Sequence, residues 1–133
     1  MKQYGISILE KIKSRKEIER IFNYGENAYS TDRKIKAKYI LNKNASDSGV
    51  LFALAVSKKQ GNAVWRNRVK RLLREAYRQN KIDLVEKCKK QKTLLEIIFS
   101  PQNINQSKNK YINLREIEPP LKEILAKIKE EIK

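Results

Sequence analysis

The spacing of apolar positions changes along the chain, and each change marks an element. Ser14-Arg15-Lys16-Glu17 has the form of a capping box, in which the Ser hydroxyl and the Glu carboxylate satisfy each other's backbone N–H groups at a helix start. Ile18, Ile21 and Phe22 follow on one stripe, and Gly25 offers a left-handed C-terminal cap, so a helix is predicted from about Ser14 to Tyr24. From Ile35 the period falls to two. Ile35, Ala37, Tyr39 and Leu41 alternate with Lys36, Lys38 and Ile40, the pattern of a half-exposed strand with a basic outer side. The stretch from Asn42 to Gly49 is rich in turn-forming residues and leads into the unbroken apolar run Val50 to Val56. A hairpin with a central second strand is the expected outcome.

Gly61 interrupts the chain, and Asn62 is a natural N-cap for a helix ending near Asn80. Its two sides divide sharply. Trp65, Val69, Leu72, Leu73 and Ala76 share one arc, which makes Trp65 a core residue, while Arg66, Lys70, Arg71, Arg74 and Arg78 cover the other. Thr93 to Phe99 alternates as a third strand that Ser100-Pro101 ends, and residues 100–112, with the polar stretch Gln102 to Lys110, read as loop. After Pro119-Pro120, which suit a helix start, Leu121, Ile124, Leu125, Ile128 and Ile132 recur at helical spacing. The order helix, strand, strand, helix, strand, helix predicts one α+β domain over residues 1–133: a two-layer α/β sandwich of a small mixed sheet and three helices.

Charge changes this picture most. Lys and Arg number 31 against 15 Asp and Glu, a net +16 with no His, and such density ordinarily faces a polyanion. It is concentrated. Between Lys58 and Arg78 stand Lys58, Lys59, Arg66, Arg68, Lys70, Arg71, Arg74 and Arg78 against the single acid Glu75, whose simplest role is an internal salt bridge. Ordinary solvated faces mix signs, and like charges at Arg66/Lys70, Lys70/Arg74 and Arg74/Arg78 repel along the helix. Phosphates would relieve that repulsion. Arg66 and Arg68 lie about 200° apart around the helix, so they flank it on nearly opposite sides, with Asn67 between them on the polar arc.

Other chemistry is thin. With no His and only Asp32, Asp47 and Asp83 among aspartates, none in a recognisable motif, the chain lacks an evident acid–base pair or metal-binding carboxylate cluster. The lone Cys88 has Lys87, Lys89 and Lys90 beside it, which would lower its thiol pKa, yet a lone Cys is more often incidental. No signal-peptide segment and no 18-residue apolar span occur, so a cytoplasmic protein without a membrane partner is expected. Charge, size and layout alone also suit a ribosomal or ribosome-assembly protein. A helix-turn-helix DNA binder fits poorly, because the paired short helices before a recognition helix are missing.

The string from Ser57 to Glu75, SKKQGNAVWRNRVKRLLRE, resembles the signature of the bacterial ribonuclease P protein family, with Arg66-Asn67-Arg68 matching that family's arginine-asparagine-arginine motif. Weaker similarity covers Ser14 to Gly25 and the strands near Tyr39 and Phe52. The resemblance implies a left-handed β-α-β crossover through the long helix, where general chirality rules predict a right-handed one. It implies that the chain is the non-catalytic protein subunit of an endoribonuclease, which acts one-to-one with ribonuclease P RNA on the 5′ leader of precursor tRNA. Mg²⁺ would be held by that RNA and not by protein residues. It implies further that Lys58, Lys59, Asn62, Arg66, Asn67, Arg68, Lys70, Arg71 and Arg74 meet the catalytic RNA. A cleft between that helix and the sheet would hold the leader, lined by Phe22 and Tyr39 with Lys36, Lys38 and Arg33 as neighbours. Aromatic rings suit single strands because every base offers a face to stack on. Phe22 also lies on the apolar stripe of its helix, which suits a core residue equally; the hydroxyl of Tyr39 wants a wet or bonded edge. Ile18 stands where the family usually has a phenylalanine, and it cannot stack.

Overall fold

The computed structural model describes residue 12 and residues 14–132. In chain order the elements are α1 (Arg15–Tyr24), β1 (Glu26–Tyr29), β2 (Ile35–Asn42), β3 (Gly49–Leu54), α2 (Ala63–Asn80), α3 (Ile82–Lys90), β4 (Leu94–Pro101) and α4 (Leu114–Glu131). Four strands form one mixed sheet in the order β1-β2-β4-β3. The expected α+β sandwich is therefore present, with one helix and one strand more than the sequence predicted.

The expected hairpin between β2 and β3 does not form. β2 pairs antiparallel with β4, and β3 pairs parallel with β4 from the other side. The reason lies in β4, where Leu95 through Phe99 are buried on both faces, so this strand takes the centre of the sheet and β3 is left at an edge. β1, which carries no alternation of its own, pairs antiparallel with β2 through a tight turn. There the Ser30 hydroxyl donates to Asp32 Oδ1 at 2.7 Å and Lys34 N–H donates to the same oxygen at 3.0 Å.

The period-two alternation of β2 decides what each face does. Ile35, Ala37 and Tyr39 join Val50, Phe52, Leu95, Ile97 and Phe99 beneath α2 and α4, in one core with Trp65, Val69, Leu73, Ala76, Leu121, Ile124 and Ile128. Fully burying one such large apolar side chain contributes about 1.5–3 kcal/mol. On the other face α1 crosses β4 and β2. Ile21 is its one buried residue, and Ile98 is buried on the sheet face below. Arg20 clamps α1 down by donating to both carboxylate oxygens of Glu96, at 2.6 and 2.7 Å, while Asn42 Nδ2 donates to Oε1 at 2.9 Å.

Three helix ends differ from expectation. Ser14 makes no side-chain cap bond, and Glu17 pairs with Arg20 at 2.9 Å instead. Gly25 is extended, at φ −77° and ψ 157°, so it does not serve as a left-handed cap. Its glycine is needed for a close approach, since a Cβ there would lie 2.5 Å from the Ile21 carbonyl oxygen and 3.1 Å from that of Tyr39. α4 begins before the prolines, at Leu114, behind a capping box of Asn113 and Glu116, and Pro119 and Pro120 lie inside it. Both prolines withhold donors only from carbonyls of the first turn, and the buried Ile117, Pro120 and Leu121 hold the helix in place. α3, which the sequence reading passed over, buries Leu84 and Cys88 one turn apart.

Candidate nucleic-acid interface

Asn62 caps α2 as predicted, its Oδ1 accepting from Trp65 N–H at 2.9 Å. Trp65 is core, and its indole N–H donates to the Asn109 carbonyl at 2.9 Å. The polar stretch after β4 is accordingly no free loop. Ile104 and Ile112 are buried, Gln60 Nε2 bonds the Pro101 and Ile104 carbonyls at 2.9 and 3.2 Å, and Asn62 N–H donates to Gln106 Oε1 at 2.8 Å.

The outer side of α2 carries the charge. Lys58, Lys59, Asn62, Asn67, Arg68, Arg71 and Arg74 are exposed, and Arg66 and Lys70 are half-buried. Arg66 Nη1 donates to the Gly61 carbonyl at 3.1 Å and Arg68 Nε to the Ile112 carbonyl at 2.8 Å, so the two guanidinium groups lean to opposite flanks, as their spacing predicted. Neither bond neutralises a charge. Among the described residues, ion pairs on this segment are confined to Arg78 with Glu75, the partnership expected of that acid, and Arg78 holds the Glu75 carboxyl below the usual carboxylate range. Among the described residues no carboxylate reaches Lys58, Lys59, Arg66, Arg68, Lys70, Arg71 or Arg74.

The second group of residues is only partly united. The space between α2 and the sheet is filled by Trp65, Val69, Leu73 and Ala76, so no cleft lies there. Tyr39 is on that filled side, 4 % exposed, with its hydroxyl donating to the Glu131 carboxylate of α4. Burial first, then that carboxylate, push its phenol well above the usual range. Tyr39 is thus a core residue with a bonded hydroxyl. Alternation had already set it beside Ile35 and Ala37.

Phe22, Lys36 and Lys38 gather on the opposite face, while Arg33, in the turn between β1 and β2, is at its margin and shares a recess with Tyr29 and Tyr39. Arg20 and Phe22 lie one residue to either side of Ile21, about 100° each around α1. Arg20 reaches toward Glu96, which puts Phe22, 41 % exposed, over the other flank. There Lys38 Nζ donates to the Phe22 carbonyl at 2.7 Å. Lys36 stands directly across from Tyr29, with its ammonium 6.0 Å from the ring centroid, and the Arg33 guanidinium lies 4.6 Å over the same ring. Sequence reasoning missed Tyr29 because nothing marked β1 as a strand. Ala55 N–H bonds the Phe99 carbonyl at 3.0 Å and Gln102 N–H the Lys34 carbonyl at 2.9 Å, so Lys58 and Lys59 sit at this end of the sheet, between α2 and the open face.

Cys88 is not activated. Burial pushes its thiol up to about 11 against the smaller opposing pull of Lys87. Among the described residues no group of three or more His, Cys, Asp or Glu side chains could hold a metal ion, and no helix is long and apolar enough to cross a membrane.

A mixed four-stranded sheet, a helix whose outer side is dominated by cations and an aromatic, cationic floor on the other face define a basic α+β protein of the nucleic-acid-binding class. The family model described as Ribonuclease P matches residues 7–127. The ribonuclease P protein component of Alkaliphilus metalliredigens is 34 % identical over 119 residues, covering 90 % of this chain and 93 % of that one. That of Natranaerobius thermophilus is 40 % identical over 75 residues, 56 % of this chain but only 61 % of the relative's length. The Staphylococcus aureus RNase P protein structure has the same fold, with a TM-score of 0.68 at 24 % identity over 93 % of this chain and 98 % of that one. The chain belongs to the ribonuclease P protein family.

Proposed function

We propose that this chain is the RNA-binding protein subunit of ribonuclease P, joined one-to-one with ribonuclease P RNA in the cytoplasm, and that it promotes endonucleolytic removal of the 5′ leader from precursor tRNA. Lys58, Lys59, Asn62, Arg66, Asn67, Arg68, Lys70, Arg71 and Arg74 meet the catalytic RNA. Phe22, Lys36, Lys38 and Arg33 hold the leader, with Tyr29 in the place first given to Tyr39. The observation that carries this reading is that Arg66, Arg68, Lys70, Arg71 and Arg74 of α2 have no carboxylate partner among the described residues. Cations left unpaired in the free protein attract phosphates at no cost of breaking internal pairs, and neutralising phosphates releases counterions.

In this reading the bond cleavage itself falls to the RNA and the Mg²⁺ it holds. The protein lowers repulsion where leader and catalytic RNA approach each other. That help is greatest when Mg²⁺ and salt are scarce. In a purified-component assay at low Mg²⁺, adding the protein should raise RNA-catalysed cleavage of precursor tRNA, and the gain should shrink as KCl rises. Cleavage indifferent to the protein under those conditions sinks the reading.

A further inference from the structure

The loop after β4 presents an aromatic side chain that the proposed RNA and leader contacts leave unused. Tyr111 is 81 % exposed, and Val64, in the first turn of α2, is 80 % exposed. Exposure of Tyr111 is not fraying, because the backbone on both sides of it is tied to α2. On one side the Trp65 indole holds the Asn109 carbonyl at 2.9 Å; on the other, Arg68 Nε holds the Ile112 carbonyl at 2.8 Å. Ile112 itself is buried, and its N–H closes a turn onto the Asn109 carbonyl at 3.2 Å. Val64 lies one helical turn before Arg68, on the same stripe. The Lys110 ammonium sits 5.5 Å from the Tyr111 ring centroid. A ring carried on an anchored backbone, with Lys110 and Arg68 close by and without carboxylate partners among the described residues, matches a ligand with a flat face and a phosphate.

We infer that Tyr111, with Lys110 and Arg68 at its sides, is a stacking platform for an unpaired nucleotide of the ribonuclease P RNA. The inference rests on the RNA partnership proposed above and adds a contact to it. The leader is not its occupant: Phe22 and Lys36 are on the far face of the sheet, whereas Tyr111 stands beside α2. Stacking needs only a π-face, so the contact tolerates any base. Because the backbone that carries the ring is already anchored, binding has only the tyrosine side chain left to order.

The test is binding of transcribed ribonuclease P RNA, without tRNA, across a KCl titration. Tyr111→Ala should weaken binding on the order of tenfold with the salt slope unchanged, since a base contact and no phosphate contact is lost. Tyr111→Phe should bind like the parent protein, and Arg71→Ala should lower both affinity and slope. If Tyr111→Ala binds normally while Arg71→Ala is weakened, the platform is overturned and the RNA partnership stands. Equal loss in Tyr111→Phe and Tyr111→Ala would mean a hydroxyl contact, and overturns stacking. A parent protein with no preference for this RNA over an unrelated RNA of equal length removes the partnership itself. The melting temperature of Tyr111→Ala should match the parent's, as the ring is 81 % exposed and faces only the Lys110 ammonium.

Discussion

α2 and α4 are both 18 residues long, and both press an apolar stripe into the same core, yet their outer sides are built on different principles. On α4 acids and bases are mixed, and four of its five acids are engaged. Glu116 closes the capping box, Glu118 accepts from Asn80 Nδ2 at 3.1 Å, Glu123 pairs with Lys127 at 3.0 Å, and Glu131 accepts from Tyr39. On α2 one acid faces six cations. Each like-charged pair one turn apart costs about 0.2–0.5 kcal/mol, so α2 is less stable than its composition allows. Stability explains α4. It does not explain α2, whose charges make sense only toward something outside the chain.

The largest expected effect tests what the two helices share. Leu73→Ala on α2 and Leu121→Ala on α4 each remove a fully buried side chain, and each should cost about 2–5 kcal/mol in urea unfolding. A loss under about 1 kcal/mol at Leu73 would mean that α2 is held by something other than this core, and the parallel between the helices would fail.

The shared stripe was also the part most legible in the sequence. Trp65, Val69, Leu73 and Ala76 recur at helical spacing, Asn62 precedes them as a cap, and the charges are on the other arc, so helix, cap and cationic side were all readable locally. What was missed depended on long-range partners. Glu26-Asn27-Ala28-Tyr29 has no alternation and becomes a strand only because β2 lies beside it. The order of β2, β4 and β3 turns on which strand is most deeply buried, which neighbours in sequence do not reveal. Tyr39 shows the opposite failure. Its alternation pointed to the core, and that local rule described its surroundings better than the role implied by resemblance.

A middle-sized effect comes from making α2 resemble α4. Arg74→Glu places an acid one turn from both Lys70 and Arg78, replacing two repulsions with two attractions. Stability should rise by about 1–2 kcal/mol, since each of the two pairs loses a repulsion and gains an attraction of similar size, whereas affinity for ribonuclease P RNA should fall on the order of tenfold with a shallower salt slope. Gains in both quantities would mean that Arg74 faces no phosphate, and the contrast between the helices would then carry no functional meaning.

The smallest effect sharpens the comparison from the α4 side. Glu123 accepts from the hydroxyl and the backbone N–H of Thr31 and pairs with Lys127, tying α4 to the turn between β1 and β2. The Thr31 hydroxyl first, then its N–H, then Lys127 pull the Glu123 carboxyl down to about 2. A carboxyl with a lowered folded-state pKa contributes stability above its unfolded value, near 4.5, and loses that contribution as pH falls toward 2. Glu123→Gln should therefore be less stable than the parent at pH 6, and the difference should close between pH 4.5 and pH 2 in a series of urea midpoints. The group is at the surface, so the gap is small and shrinks with salt. A gap that stays constant across that range would show the tie to be neutral hydrogen bonding. On α2 the one comparable carboxyl, Glu75, is lowered by Arg78 of the same helix, so its titration reports on the helix alone, while that of Glu123 reports on how α4 is held to the sheet.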